Sequence, residues 1–453
     1  MTIRTVTTTA DTGTGSLRAA IFASINGDLI VFAPALAGQT LTVGSTLIIA
    51  KNITVDASAA RMFTISGNNA FRCMALGQGT TITIKGLTFI NGYMTGSFTA
   101  GGLTTSSYCN TTVLNCTFRG NKGDTSGAIH AGFQSKLVVR NNLFENNDGT
   151  QANNGFAAGG IATRNRGSLE VYNCDFFNNK GVVGGAIYRS LGGLIVEDSE
   201  FGGNTSKQGG GAIYTDGFGQ DSETVANRVG GLGRLSRCYF HNNIALAGNG
   251  GAVNFFDYYP DTSVVEDCII TDNECRGTYY GGGIRLAGTT QLLRTTIASN
   301  ISARDAGGLW LDGYINGSTA TVTLSQVTFS ANSAVRNGGA ISINGSAKIS
   351  ATFDNITAKD NLAAGSGFMW NPVGSYVVSD SVFDRNSGTN GQQIAYTLTE
   401  GGGNYSYPAV SGIGKKITPS ITQVDPLLDV LTTTGRPKHP KLVNSPIGTS
   451  GDL

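Results

Sequence analysis

Apolar residues in this chain alternate on a two-residue period over short stretches. Leu169-Glu170-Val171, Leu194-Ile195-Val196 and Thr321-Val322-Thr323-Leu324 predict half-buried strands, not helices. Two motifs run between these strands. The first is a large apolar residue, two free positions and Asn: Phe118–Asn121, Phe144–Asn147, Phe176–Asn179, Phe201–Asn204, Phe240–Asn243, Ile270–Asn273, Ile297–Asn300, Phe329–Asn332 and Phe383–Asn386, with a weaker copy ending at Asn361. The second is Gly-Gly-Ala-Ile or close to it, as at Gly184–Ile187, Gly210–Ile213, Gly250–Val253 and Gly338–Ile341. The motifs alternate, and successive asparagines lie 25 to 39 residues apart.

A repeat of that length specifies a solenoid, a propeller or an array. A WD-type propeller needs about 40–45 residues and four strands per blade. The shortest repeats here hold about three short strands and three turns, which is one coil of a β-helix with strands ~4.8 Å apart. The predicted fold is therefore all-β: a single-stranded right-handed parallel β-helix with a short N-terminal helical cap and a loop-rich C-terminal cap. Residues 1–84 read as the N-terminal cap and first coils, 85–400 as the repeated coils, and 401–453 as a C-terminal capping segment, all in one continuous solenoid. Ser16 to Ile21 reads as the capping helix. The tail after Gly401 holds six of the nine prolines and reads as a cap, not a further coil.

Stacking assigns a place to each motif. Cys116 and Phe118 are two apart and share a face, predicted to be inward. Phe118, Phe144, Phe176, Phe201, Phe240, Phe329 and Phe383 then form an internal aromatic column, with Cys116, Cys174, Cys238 and Cys268 beside it. The motif asparagine suits a turn where its amide bonds the next asparagine and the backbone tolerates a left-handed conformation. Gly-Gly opens a strand where backbones approach closely.

Composition narrows the function. Charged residues are 13% of the 453, with 31 Lys+Arg against 30 Asp+Glu. Neither electrostatic steering nor counterion release has a source in such a chain, which speaks against nucleic acid as a partner. No stretch approaches the ~18 apolar residues of a membrane span, and the N-terminal sequence shows no apolar signal core. The seven cysteines are an odd number, so they cannot all pair within the chain. Cys268 with Cys275, or Cys109 with Cys116, could join across a turn; buried thiols are the favoured reading for the Cys116 set.

The alternating Gly-Gly-Ala-Ile and Phe-x-x-Asn elements resemble the repeats of the polymorphic outer-membrane-protein family and related bacterial surface β-helix proteins. The run "DTGTGSLRAAI", "IVFAPALAGQTLTV", "ITVDAS", "TISGNNAFRC" is similar to the opening of large secreted bacterial β-helix proteins. Asp425-Pro426-Leu427-Leu428 and Asn444-Ser445-Pro446-Ile447-Gly448 are similar to the closing element of that group. The resemblance implies a secreted or cell-surface bacterial protein.

Chemistry was sought on the outward surface. If the Ile of Gly-Gly-Ala-Ile points inward, the next residue points out, giving the file Thr104, His130, Ala162, Tyr188, Tyr214, Asn254, Arg285, Trp310, Ser342 and Met369. Two residues further on come Ser190, Asp216, Phe256, Asp312 and Asn344. Insertions after the same strand, Asp216–Leu232, Asp257–Ser263 and Asp312–Ser318, would wall a groove. Tyr188, Tyr214, Asp216, Arg285, Trp310 and Asp312 are its candidate ligand-binding residues, because rings cover the apolar faces of sugars while polar groups meet the hydroxyls. No catalytic residue is assigned. Asp216 with Asp257 or Asp261 is the best carboxylate pair for a glycoside hydrolase, and Arg285 with Tyr214 or Tyr280 the best lyase pair. The three histidines, His130, His241 and His439, do not form a zinc site. No cofactor or metal is expected, with calcium at Asp257, Asp261 and Glu266 as the alternative. The leading expectation is a non-enzymatic structural or adhesive surface β-helix, partnered by homotypic assembly or surface glycans. The alternative is a polysaccharide lyase, a glycoside hydrolase or a carbohydrate-binding module.

Overall fold

The computed structural model describes all residues except 152–154, 165, 220–228, 315–316, 347, 372–373, 389–390, 409–414 and 429–453. His439, Asn444–Gly448 and most of the insertion between Asp216 and Leu232 lie outside the described residues. The chain divides into two units, Met1–Ser206 and Lys207–Leu453.

Both units are parallel β-solenoids. In the first, one complete coil runs through the strands Leu103–Thr105, Asn110–Leu114, Thr117–Arg119 and Lys122–Gly123. Each strand pairs in parallel with its equivalent one coil on: Leu103 with Ile129, Thr112 with Val138, Phe118 with Phe144. In the second unit the same register joins Val253 to Ile284, Val265 to Leu292 and Ile270 to Ile297. We refer to the sheet that follows the Gly-Gly motif as the Gly-Gly sheet. The helix α1 (Leu17–Ala23) sits where the capping reading placed it, with the Ser16 hydroxyl accepting from the Ala19 amide at 3.1 Å and Leu17 and Ile21 buried.

Register turns sequence repeats into columns. In the first unit Phe89, Phe118, Phe144, Phe176 and Phe201 stack at 4.5 to 5.1 Å between centroids with nearly parallel rings. The asparagines form a buried ladder. Asn121 Nδ2 donates to Asn147 Oδ1, Asn147 to Asn179, and Asn179 to Asn204, each at 3.0 Å. In the second unit the ladder runs Asn243, Asn273, Asn300, Asn332, Asn361, Asn386. Asn361, the weak copy, is a full member.

The seven cysteines are buried free thiols, so neither turn-spanning pair forms. Burial pushes the thiols of Cys116 and Cys174 up to about 12. Cys116 belongs to a second ladder in which a side chain takes the amide of the coil before it. The Cys116 amide donates to Asn142 Oδ1 at 2.7 Å, the Asn142 amide to Cys174 Sγ at 3.5 Å, and the Cys174 amide to Ser199 Oγ at 3.1 Å.

Two readings need correction. The left-handed residue of the Phe-x-x-Asn turn is the one before the asparagine: Asn146, Asn178, Asp272, Ser299 and Ala331 all have φ between 52° and 55°. That single kink bends the chain at the corner of the coil and aims the next side chain inward, so the asparagine itself needs no unusual backbone. Met369 lies opposite Ile341 and Trp370 opposite Ser342, so Met369 is on the inward file and Trp370 takes the outward place. The loop-rich tail carries two short strands: Tyr405–Tyr407 pairs with Val382–Asp384, and Thr422–Gln423 pairs with Tyr405–Ser406. Prolines interrupt strands only where they occur, and between them the ladder continues.

Candidate functional site

Five of the six predicted groove residues lie in the second unit. Parallel register sets Tyr214 beside Asn254, Asn254 beside Arg285, and Arg285 beside Trp310. Asp216 lies beside Phe256, and Asp312 beside Ala287. Strand spacing of ~4.8 Å makes this a continuous strip on the outer face of the Gly-Gly sheet. Tyr188 belongs to the first unit, where it is 6% exposed and its ring lies 5.8 Å from that of Phe156.

The strip is roofed. Arg285 is 6% exposed and Trp310 8%. The Tyr280 ring stacks on Trp310 at 4.1 Å, the Arg304 guanidinium lies 4.9 Å from Tyr280, and Arg285 lies 4.9 Å from the Phe256 ring. Phe256 and Tyr258 meet edge to face at 5.3 Å. The surface a ligand meets is therefore this second layer of rings. Tyr258 was not singled out in the sequence. Its signal is the aromatic run from Phe255 to Tyr259, dense for a segment between strands.

Beneath the roof the charges are tied. Arg285 Nη1 donates to Asn254 Oδ1 at 2.9 Å and Nη2 to Asp312 Oδ2 at 2.8 Å, while Asn344 Nδ2 donates to Asp312 Oδ1 at 2.8 Å. Burial raises the Asp312 carboxyl, but the charge and hydrogen bond of Arg285 outweigh it and hold the group below the usual carboxylate range. Tyr214 goes the other way: burial first, then the charge of Asp216, push its hydroxyl above the ordinary value against the pull of Arg285.

Asp216 and Asp261, two of the candidate acids, are engaged by neighbouring groups. Asp216 and Asp312 are three rungs apart, roughly 14 Å, beyond the ~5–9.5 Å of glycosidase carboxylates. Asp261 spends its carboxylate on the amides of Phe218, Gly231 and Tyr258 at 2.9, 3.0 and 3.2 Å. It is the staple of its insertion, helped by the Tyr314 hydroxyl, which donates to the Asp261 carbonyl at 2.6 Å. Asp216 accepts from the Tyr258 hydroxyl at 2.8 Å. Of the calcium candidates, Glu266 is engaged by Arg234 and Arg294. Among the described residues no group of three or more potential ligands is placed to hold a metal. No described helix is long and apolar enough to cross a membrane.

Stacked parallel coils, inward ladders and an outer ringed strip define a β-helix repeat protein. The sequence agrees: residues 51–229 match the family described as "Right handed beta helix region", and residues 326–344 match the "Chlamydia polymorphic membrane protein repeat". The chain is thus a right-handed parallel β-helix protein, and one of its segments is similar to the polymorphic-membrane-protein repeat. A curated relative, "Metabotropic glutamate receptor-like protein R" of Dictyostelium discoideum, is 29% identical over 182 residues, which cover 37% of this chain and 11% of that protein. The chain matches about a tenth of that relative's length. Similar solved structures include the A-module of a mannuronan C-5 epimerase from Azotobacter vinelandii, at 13% identity and TM-score 0.44 over 87% of this chain and 100% of the other. An alginate lyase is 14% identical with a TM-score of 0.41 over 96% and 89%. A surface adhesin of Streptococcus pneumoniae is 11% identical with a TM-score of 0.34 over 89% and 94%.

Proposed function

We propose that the chain is a cell-surface or extracellular β-helix with an adhesive or structural role and no turnover. The observation that carries this reading is the commitment of the strip's charged groups. Asp312 neutralises Arg285 and Asp261 staples a loop. Tyr214, held protonated, makes a poor base. What remains outward is a rigid, nearly neutral bank of rings, suited to contact. Its partners would be surface glycans or further copies of the chain.

A second reading, a carbohydrate-binding surface in its own right, draws on the ring layer of Tyr280, Phe256 and Tyr258 beside the fixed Arg285. Incubating the purified chain with a polysaccharide panel separates the possibilities. Retention of glycans with no new reducing or unsaturated ends supports contact without turnover. New ends that disappear in Arg285→Ala would establish an enzyme instead. Absence of both glycan retention and self-association would remove the adhesive reading.

A further inference from the structure

The outer face of the Gly-Gly sheet in the first unit is built differently. Register places Ala75, Thr104, His130 and Ala162 in one outward file. Arg164, two residues past Ala162, shares that face. Its guanidinium lies 3.5 Å from the centre of the Phe98 ring, and Phe98 lies 6.2 Å from the His130 ring. Arg164 and Arg72 both bear electrostatically on His130. Among the described residues, neither arginine has an acidic partner. Arg72 Nε is buried without a hydrogen bond.

Two further observations mark the place as incomplete. His130 is 1% exposed, and its Nδ1 has no partner, a state that burial ordinarily penalises. Phe98 is 49% exposed with φ of 64°, an outlier for a bulky residue. The loop that holds it there is anchored, with the Gly96 amide on Asp124 Oδ2 at 2.5 Å and the Phe98 amide on Thr125 Oγ1 at 2.9 Å. Asp124, which lies on the following coil, therefore serves the backbone of that loop. By contrast Arg189, also in the first unit and fully buried, is satisfied by Thr163 Oγ1 and the carbonyls of Arg164, Ser190 and Gly192.

We propose that Arg72, Arg164 and Phe98 form a binding site for a carboxylated sugar. A planar guanidinium pairs with a carboxylate through two parallel hydrogen bonds, and the exposed part of the Phe98 ring offers an apolar wall to the pyranose. Among the described residues this cluster has no carboxylate side chain of its own, whereas Arg285 of the second unit is paired with Asp312. The site uses residues separate from that strip.

Titration calorimetry on the full chain tests it with three probes: tri-galacturonate, its neutral galactose counterpart and a sulfated galactose trisaccharide. Tri-galacturonate should bind about tenfold or more tightly than the neutral sugar, and Arg72→Ala and Arg164→Ala should each erase that preference. Phe98→Gly, which keeps the left-handed backbone without the ring, should weaken the uronate and the neutral sugar alike. Arg119→Ala, on a different sheet where Arg119 pairs with Glu145, should leave uronate binding unchanged. Arg164→Lys, with its melting temperature measured alongside, retains charge without the fork and should bind weakly while folded. Equal binding of neutral and acidic sugars, or no uronate binding, would overturn the proposal. Preference for the sulfated probe would overturn the choice of carboxylate.

Discussion

At the scale of single residues, polar atoms in this core are placed to be satisfied. Asn300 accepts the Asn273 amide at 3.0 Å and donates to the Ile270 carbonyl at 2.9 Å and to Asn332 Oδ1 at 3.0 Å. Asn300→Ala strands an amide and a carbonyl in the interior, and urea denaturation should show a loss of about 3 kcal/mol. Two titrating groups act in opposite directions. Burial pushes the Asp384 carboxyl up to about 6 from 3.8, against the opposing charges of Arg385 and Lys359. The folded chain then keeps a proton that the unfolded chain has released, so this group's contribution falls as pH rises from about 4 to 6. Asp384→Asn should flatten that slope in melting temperature against pH. Burial, then Arg164 and Arg72, push His130 down to about 3 from 6.5. Here the unfolded chain binds the extra proton, so stability falls as pH drops below about 6.5. His130→Gln should remove that loss.

At the scale of the coil, backbone geometry decides which repeats are cheap. The left-handed turn position is filled by Asn or Gly in some coils and by Ser299, Ala331 or Arg385 in others. A β-carbon there costs roughly 1–2 kcal/mol, partly offset by the entropy glycine would lose. Ala331→Gly should therefore stabilise by about 0.5–1 kcal/mol, read by thermal melting, although the same change in a strand would destabilise. Gly251 is the opposite case. A β-carbon there would collide with the Gly282 carbonyl oxygen of the next coil, so Gly251→Ala should lower the melting temperature and loosen amide protection on both coils. The turn asparagine was legible in the sequence because its side chain recurs. The residue before it was not, because the turn fixes its φ and leaves its side chain to vary.

At the scale of the whole molecule, each unit is a stack in which a coil meets only its neighbours, so damage should spread locally. Phe144 lies between Phe118 at 5.1 Å and Phe176 at 4.5 Å. Phe144→Ala should cost about 3–5 kcal/mol, and hydrogen exchange should quicken most around Phe118 and Phe176 and fade toward Phe89. The repeat, the inward phenylalanines, the asparagine ladder and the capping helix were all readable in the chain, because each is a local pattern repeated until its period shows. The candidate strip was readable only as a file of positions. That Tyr280 lies over Trp310, that Arg285 is neutralised by Asp312, and that Arg72 and Arg164 have no carboxylate partner among the described residues are facts about side chains 27 to 92 residues apart. Sequence determined the coil because strand pairing repeats one interaction many times. Tertiary structure decided the sites because each depends on single contacts between loops, which no period announces.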